Sequence, residues 1–301
     1  MVLMKWRRIF PLVALLVLGA CAGTAPSPTA PPAALSTTLP GPTPARPEIL
    51  LATTTSTQDS GLLDVLLPDF QQRTGYHVKP IAVGSGQALT MGQQGNADVL
   101  LVHSPDAEAA FMQTGAGVDR RLIMHNDFVI IGPAADPAQV RGRAAVPALQ
   151  AIAARGATWV SRDDKSGTNA LELKLWQAAL GRNPHQEGWY VSTGQGMGAT
   201  LNITNERQAY TLSDRATYLA FSDKITLPIL VEKDPLLLNI YHVIQVNPAK
   251  WPQVNVAGAQ AFADYLVSPA AQQLIGSFGQ EKYHQALFVP DAGKSEDTLG
   301  R

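Results

Sequence analysis

"ILLATTTSTQDSGLL", residues 49–63, joins a run of apolar residues to a segment with helical spacing, and five hydroxyl side chains fill the junction at 53–57. One serine or threonine would be enough to cap the helix. A helix N-terminus also presents unpaired N–H groups and about half a positive charge, so several hydroxyls gathered there suit an anion. The stretch therefore predicts a buried strand that leads into a helix, with a junction that does more than cap it.

Short apolar runs alternate with helix-like segments along the rest of the chain. This alternation predicts βαβ units, mainly parallel sheets and the α/β class. With 301 residues, 46% of them hydrophobic, the chain is long enough for one large domain or two of ordinary size. The predicted strands are residues 49–52, 78–83, 98–102, 128–131, 157–161, 190–192, 209–212 and 241–246.

Four of the predicted strands end in segments rich in glycine and hydroxyl residues. In sheets of this class, ligands bind at the carboxyl ends of the strands, beside helix N-termini. Glycine lets the backbone approach a ligand closely, and hydroxyls add donors. Any one of these segments could be an ordinary cap or turn, but four in one chain indicate an anion site. They are residues 53–57, 84–87, 161–168 and 193–198.

Arg162 is the strongest single candidate for this site, because a guanidinium offers a positive charge and a rigid fork of donors to an oxyanion. The alternative is a structural salt bridge with Asp163, Asp164 or Asp214. We expect Asp163 and Asp164 to lie at a helix start or to balance charge. Whether these two carboxylates face a ligand stays open at this point.

Composition and motifs exclude several functions. A net charge of −1 provides no basic excess for binding nucleic acid. The K-S-G-T at residues 165–168 comes without the Ser-x-x-Lys of penicillin-binding enzymes, and no G-x-S-x-G elbow is present. The histidines are scattered and Cys21 is the single cysteine, so we expect no metal site. The donor-rich segments come without a nucleophile and base, which predicts a binding protein rather than an enzyme.

The N-terminal residues predict export and attachment to a membrane. Residues 1–20 combine positive charges, an apolar stretch and small residues, as a signal peptide does. The Leu-Gly-Ala-Cys at 18–21 is similar to the lipoprotein processing box, although Cys21 could also be incidental. Residues 21–46 are mostly Pro, Ala, Thr, Ser and Gly, so we expect a lipidated cysteine followed by a disordered tether. The predicted location is extracytoplasmic, lipid-anchored to a bacterial membrane, at the cell surface or in the periplasm.

A series of motifs covers almost all of residues 48–290. The more specific ones are ATTTS (52–56) and SRDDKSGT (161–168). The others are DSGLL (59–63), VGSGQAL (83–89), GNADVLLVH (95–103), NDFVIIGP (126–133), GMGATL (196–201) and AYTLSDRATY (209–218). With this series the chain resembles the periplasmic tungstate-binding proteins of ABC-type uptake systems. Asp163, Ser213 and Ala216 depart mildly from the family pattern, which affects only fine selectivity.

The resemblance implies an α/β, two-lobed periplasmic-binding-protein fold of type II, with two crossover strands and a ligand cleft between the lobes. On that basis lobe I would comprise residues 47–128 plus 241–301, and lobe II residues 129–240. The strands at 128–131 and 241–246 would form the hinge.

The resemblance also implies the ligand, its site and the partners. The ligand would be tungstate, no cofactor is implied, and the partners would be the permease and ATPase of an ABC transporter. The protein would be a monomer that meets the membrane only through its lipid anchor. Carrying the family's site over gives Thr54, Thr55, Ser56, Ser85, Arg162, Ser166, Gly167, Thr168 and, as the weakest member, Arg215, with Thr53 and Thr57 left to structure.

Several alternatives stay open at the level of sequence. Molybdate nearly equals tungstate in size and charge, so residue-level reasoning does not separate the two anions. Sulfate and phosphate are smaller and rank below them. A tethered sensor that reports the anion without transport belongs to a different class of function. So does an enzyme acting on phosphate esters, which would need a metal cluster or a nucleophile–base pair.

Overall fold

The computed structural model describes residues 44–299, so the predicted signal peptide, Cys21 and most of the tether lie outside the described residues. The chain order of the elements is β1 (Glu48–Thr54), α1 (Thr55–Asp59), α2 (Leu63–Thr74), β2 (His77–Val83), α3 (Ser85–Gln93), β3 (Val99–Val102), α4 (Pro105–Gln113), β4 (Gly117–Ile131), α5 (Ala145–Arg155), β5 (Trp159–Ser161), α6 (Gly167–Leu180), β6 (Tyr190–Ser192), α7 (Met197–Arg207), β7 (Thr211–Asp214), α8 (Arg215–Ala220), β8 (Ile229–Val231), β9 (Leu238–Val246), α9 (Val256–Leu266), α10 (Pro269–Ser277), α11 (Gln280–Tyr283) and β10 (Val289–Pro290). Short 3-10 helices occupy Pro235–Leu237 and Glu296–Thr298.

Each of the eight predicted strands has a counterpart, but β4 is much longer than predicted and β8 and β10 were not predicted. The first half of β4 carries Asp119, Arg120 and Arg121, which do not look like a buried strand. Their charges are balanced by partners far away in sequence, for instance Glu108 at 2.9 Å from Arg120 and Asp264 at 2.6 Å from Arg121. A strand stabilised in this way gives no apolar signal in the sequence.

The prediction of mainly parallel sheets is wrong for the central sheet. Its strand order is β10-β4-β9-β3-β1-β2, with β7 and β8 paired to β4. β1 is parallel to β2 and β3, and β5 is parallel to β6. By contrast, β4 is antiparallel to β7, β8, β9 and β10, and β9 is antiparallel to β3. Because β4 carries the chain away from the first group of strands and β9 brings it back, these two neighbours run in opposite directions.

Separate apolar cores form around the two parts of β4, whose beginning pairs with β9 and whose end pairs with β7 and β8. In the first core, Phe70 of α2 packs edge-on against Phe262 of α9, with ring centroids 5.1 Å apart. In the second, Trp159 of β5 packs edge-on against Trp176 of α6 at 5.2 Å. Burial of each such side chain contributes about 1.5–3 kcal/mol, so each core holds its own group of elements together.

Five helices begin close to the ends of strands and position the candidate site. α1 and α8 follow β1 and β7 directly, α3 follows β2 after one residue, and α6 and α7 follow β5 and β6 after short loops. Hydrogen bonds join α1 to α7, to α8 and to the loop before α6, while the start of α3 bonds to that same loop. The donor-rich segments found in the sequence are therefore neighbours in space.

Candidate oxyanion site

The junction of β1 and α1 brings several hydroxyls together. Thr54 is the N-cap of α1, and its Oγ1 accepts a hydrogen bond from the Thr57 amide at 3.1 Å. The same Oγ1 lies 3.1 Å from Ser56 Oγ and 2.6 Å from Thr57 Oγ1. Thr53 instead donates to the Leu101 carbonyl in the neighbouring strand at 2.8 Å. The hydroxyl run thus divides into a sheet contact, a helix cap and side chains that meet other elements.

His103, which directly follows β3, completes this hydroxyl cluster and was missed by sequence reasoning. Its Nε2 lies 3.1 Å from both Ser56 Oγ and Thr54 Oγ1. Burial and the nearby Arg162 guanidinium lower the pKa of His103 to about 3, so the ring is neutral at physiological pH. The sequence signals for this role are its place at the end of a predicted strand and its position as the last residue of the GNADVLLVH motif.

Arg162 joins the start of α1 to the start of α6. It is 1% exposed, and within residues 44–299 it is the only buried lysine or arginine. Its Nη2 donates to Thr55 Oγ1 at 2.8 Å and to Asp164 Oδ2 at 2.6 Å, and its Nη1 donates to Thr168 Oγ1 at 3.4 Å. The Nε atom has no hydrogen-bond partner among the described residues. A buried cation therefore lies between hydroxyls of two helix starts.

Of the three acids considered as partners of Arg162, the structure selects Asp164. The second oxygen of this carboxylate, Oδ1, accepts a hydrogen bond from the Ser166 amide at 3.1 Å. Asp163 instead lies 3.7 Å from His185 Nε2 and is about one-third exposed. Asp164 thus occupies a guanidinium N–H and a backbone N–H, which are two donors of the kind that bind oxyanions.

The start of α6 is shaped by a glycine that no other residue could replace without movement. Ser166 is the N-cap, and its Oγ accepts a hydrogen bond from the Asn169 amide at 3.2 Å. A Cβ on Gly167 would lie 2.6 Å from Ser104 Oγ and 2.9 Å from the His103 carbonyl oxygen. The missing side chain lets α6 begin directly against the junction of β3 and α4.

The start of α3 contacts the loop of residues 164–166, which precedes α6. Ser85, its first residue, is 1% exposed, and its Oγ has no hydrogen-bond partner within the part of the chain that the structure describes. A Cβ on Gly84 would lie 3.1 Å from the Asp164 carbonyl oxygen. The Gly86 amide donates to the Lys165 carbonyl at 3.3 Å. Ser85 therefore adds a buried hydroxyl next to the 164–166 loop.

The structure does not bring Arg215 to this group. Its Nε and Nη2 donate to the two oxygens of Asp127 at 2.7 and 2.6 Å, and Nη2 also donates to Glu232 at 2.7 Å. These two carboxylates hold the pKa of Arg215 above its ordinary value. The side chain links α8 to β4 and to the segment after β8.

Two acids near the site were not predicted as part of it. Asp214, the N-cap of α8, is fully buried; its Oδ1 accepts from the Thr217 amide at 2.8 Å, and burial raises its pKa to about 6. Asp59 accepts from the Gly198 amide at 3.1 Å, and partial burial raises its pKa as well. Thr217 Oγ1 donates to the Ser56 carbonyl at 3.2 Å, which ties α8 to α1. Carboxyl groups therefore lie close to the only buried guanidinium of residues 44–299.

Comparison with known proteins places the chain in a family. A profile of the PBP superfamily domain matches residues 30–270. The tungstate-binding protein TupA of Peptoclostridium acidaminophilum is 49% identical over 255 residues, which cover 84% of this chain and 88% of that protein. The chain belongs to the TupA family of the PBP superfamily.

Two solved structures of high identity resemble this TupA-family chain. The tungstate-binding protein TupA of Desulfovibrio alaskensis G20 is 48% identical with a TM-score of 0.69, over 82% of this chain and 99% of that one. The structure of the tungstate ABC transporter of Geobacter sulfurreducens gives 46% identity and a TM-score of 0.70, over 77% of this chain and 98% of that one. The predicted family and the predicted two-lobed α/β fold with two crossover strands, β4 and β9, are confirmed.

Among residues 44–299, no group of three or more His, Cys, Asp or Glu side chains is arranged to hold a metal ion. None of the helices in the same residues is both long enough and apolar enough to span a bilayer.

Proposed function

We propose that this chain captures tungstate outside the cytoplasm for uptake by an ABC transporter. The similar proteins described above carry tungstate in their names, and they cover most of this chain at 46% identity or more. The observation that carries the proposal is Arg162, a buried guanidinium between the hydroxyls of Thr55 and Thr168. A buried cation surrounded by hydroxyls and helix N–H groups suits a small oxyanion.

The proposed pocket suits an anion that only accepts hydrogen bonds. Tungstate is fully deprotonated at neutral pH, so each of its oxygens needs a donor. A charge-assisted hydrogen bond contributes about 1.5–3 kcal/mol net. About six of them are the right size for a nanomolar site near −12 kcal/mol once ordering costs are subtracted. The donors would come from Thr54, Thr55, Ser56, Ser85, Arg162, Ser166, Gly167 and Thr168.

Asp164 occupies part of this pocket and would have to move when the anion binds. Its carboxylate accepts from Arg162 Nη2 at 2.6 Å and from the Ser166 amide at 3.1 Å. An oxyanion would take over both donors, because a carboxylate and a bound dianion at one guanidinium repel each other. Until then, Asp164 keeps the two donors oriented as the ligand would need them.

We further propose that the lobes, divided as the sequence predicts, close over the anion by bending of β4 and β9. The hydrogen bond from Arg162 to Thr55 and the one from the Gly86 amide to the Lys165 carbonyl both cross the proposed boundary. An anion held by donors from both lobes would favour the closed arrangement, since it gains its full set of contacts only there.

The neighbouring Ser56 and His103 do not support an enzyme. Ser56 Oγ and His103 Nε2 are 3.1 Å apart, which is the distance of a nucleophile and its base. However, a pKa of about 3 makes His103 a very weak base at neutral pH, and its Nδ1 has no orienting partner among the described residues. We therefore propose a binding protein without catalytic activity or cofactor.

The proposed delivery route includes a lipid anchor at Cys21, a flexible tether and a monomeric binding body that meets the permease and ATPase. Globomycin, which blocks lipoprotein signal peptidase, should make a precursor accumulate in expressing bacteria. A chain of unchanged mobility after globomycin treatment would exclude the lipid anchor.

The ligand and the role of Arg162 can be tested by competitive calorimetry with tungstate, molybdate, sulfate and phosphate. We expect the tightest binding for tungstate. Arg162→Ala should weaken it by at least about tenfold, because a charged donor is lost. Arg182→Ala is the matched control: it removes an arginine whose ion pair with Glu187 is exposed, and should change affinity by less than about twofold. An unchanged affinity in Arg162→Ala would refute the proposed site.

A further inference from the structure

Asp214 is a buried acid with one oxygen that has no partner. Its Oδ1 holds the Thr217 amide at 2.8 Å, and its Oδ2 has no hydrogen-bond partner within residues 44–299. The residue is fully buried. β7 and β5 run parallel through the Trp159–Tyr210 bridge, so Asp214 and Arg162 lie at the same edge of these strands. An ionised carboxylate with an unpaired buried oxygen is costly, and protonation lowers this cost because it removes the charge.

The charged groups around Asp214 do not favour its ionised form. Arg162 lowers the pKa of Asp214, but Asp59 on α1 raises it, and burial raises it most. Arg162 is also already paired with Asp164 at 2.6 Å. One guanidinium is thus available to three carboxyl groups, those of Asp59, Asp164 and Asp214, before any ligand binds.

The other titratable groups on neighbouring elements do not supply a positive charge. The pKa of Tyr241 on β9 is raised well above its ordinary value by burial, so its hydroxyl stays protonated, and His103 is neutral. The remaining groups are held by partners of their own: Arg215 by Asp127 and Glu232, His125 by Asp291, and Glu172 of α6 by Trp159, Ser161 and Tyr190.

We propose that Asp214 carries a proton when the oxyanion is bound, so that capture of a dianion takes up one proton from solvent. The proton bonds to Oδ2, the carboxylate becomes a neutral acid, and no other bond changes. With Asp214 ionised, the cleft would hold one guanidinium against the carboxylates of Asp214 and Asp59 and a dianion, even after Asp164 has moved away from Arg162, in an interior that screens charge poorly. The inference rests on the proposed function because it takes tungstate as the dianion.

The expected pH dependence of tungstate affinity follows from the direction in which the pKa of Asp214 shifts. The free acid has a pKa of about 6, so Asp214 is largely ionised at neutral pH before the ligand arrives. A dianion nearby raises this pKa further, and tungstate then binds more tightly to the protonated form. Affinity should be constant below the pKa of the free protein. Above it, affinity should fall by up to about tenfold per pH unit until the pKa of the complex is passed.

Calorimetry in two buffers measures the proton directly. Sodium tungstate would be titrated into the protein at about pH 7.5 in HEPES and in Tris, whose ionisation enthalpies differ. Because the proton taken up by the protein is released by the buffer, the difference in observed enthalpy counts the protons. We expect about one proton per tungstate for the unaltered protein.

Asp214→Asn removes the titratable proton and keeps the size of the side chain. Its amide oxygen can still accept from the Thr217 amide, and its nitrogen is a permanent donor where the proton would sit. We expect no proton uptake, an affinity that does not vary between about pH 6.5 and 8.5, and tighter binding than the unaltered protein at the upper end. Glu172→Gln is the matched control, because it removes another buried acid, of pKa about 7, whose partners a glutamine can still satisfy. It should keep the uptake of one proton.

Each outcome decides the inference. Tungstate binding without buffer-dependent heat would overturn it and leave the proposed function intact, as would equal proton uptake by Asp214→Asn. Loss of uptake in Glu172→Gln would assign the proton to Glu172 and overturn it too. If Asp214→Asn does not fold, infrared difference spectra of the unaltered protein decide: a new carbonyl band of a protonated carboxyl group should appear with tungstate, and its absence overturns the inference. Failure of all four oxyanions to bind would remove the proposed function and the inference together.

Discussion

At the scale of single residues, the charge balance at Arg162 should decide how tightly the proposed site holds an anion. A buried guanidinium without a partner would destabilise the fold, and Asp164 supplies that partner at 2.6 Å. The same carboxylate accepts from the Ser166 amide, so it competes with an oxyanion for both donors. We therefore expect Asp164 to stabilise the protein and to weaken anion binding at the proposed site.

Asp164→Asn is expected to tighten tungstate binding by about threefold to tenfold, because Arg162 loses a charged competitor and keeps a hydrogen-bond acceptor. Titration calorimetry of the purified variant measures this. Asp163→Asn is the control, because Asp163 lies 3.7 Å from His185 rather than against Arg162. The tungstate affinity of this variant should stay within about twofold of that of the unaltered protein. Weaker binding by Asp164→Asn would mean that the carboxylate remains on Arg162 in the complex and helps to hold the anion.

The residues that could be predicted are those whose type alone suggests their chemistry. Arg162 and Ser85 lie in short, donor-rich segments after apolar runs, and the sequence shows both features. His103 and Asp214 could not be placed, because their neighbours are set by the pairing of β3 with β9 and of β7 with β4. Arg215 is the opposite case, since it belongs to a family motif but its guanidinium is bound to Asp127.

At the scale of elements, the site is made by helix starts that different strands bring together. The strands and the donor-rich segments after them could be predicted, because buried strands are continuous apolar runs. The resemblance to a family implied two crossover strands, but the residue pattern did not predict that they pair antiparallel. The beginning of β4 is charged, and it becomes a strand only because Glu108 and Asp264 neutralise Arg120 and Arg121 from distant parts of the chain. Periodicity within a short window contains no such information.

Gly167 makes a close approach between elements at the proposed site. Gly167→Ala would place a Cβ 2.9 Å from the His103 carbonyl oxygen and 2.6 Å from Ser104 Oγ, so α6 must move away from the junction of β3 and α4. We expect a loss of about 1–3 kcal/mol in the free energy of unfolding and tungstate binding weakened by at least about tenfold. Urea unfolding and calorimetry measure the two effects.

Gly188→Ala is the control for this substitution, since a Cβ at Gly188 meets nothing within 4 Å. It should leave the free energy of unfolding within about 0.5 kcal/mol and tungstate affinity unaltered. Tight tungstate binding by Gly167→Ala would contradict the requirement for close contact at the start of α6.

At the scale of the whole molecule, the C-terminal segment links the two long strands that connect the lobes. Glu296 lies 2.7 Å from Arg120 of β4 and 3.0 Å from His242 of β9, and Glu108 of α4 contacts both of these side chains at 2.9 Å. These polar contacts clamp β4 to β9 within the proposed first lobe. We therefore expect any bending to be confined to the parts of the two strands beyond the clamp.

A ligand held between the lobes would bind the folded protein and not the unfolded chain, so its binding should raise the free energy of unfolding. At free tungstate about 1,000-fold above Kd, mass action adds about 4 kcal/mol to the free energy of unfolding. For a body of this size each kcal/mol raises Tm by about 2–4 °C, which predicts a shift of about 8–16 °C. Thermal unfolding followed by circular dichroism measures it, with sulfate at the same concentration and Arg162→Ala as controls. Both controls should shift far less, because sulfate is smaller and the variant lacks the guanidinium. A comparable shift with sulfate would mean that the site selects for charge alone, whereas no shift with tungstate would mean that tungstate does not bind the folded protein.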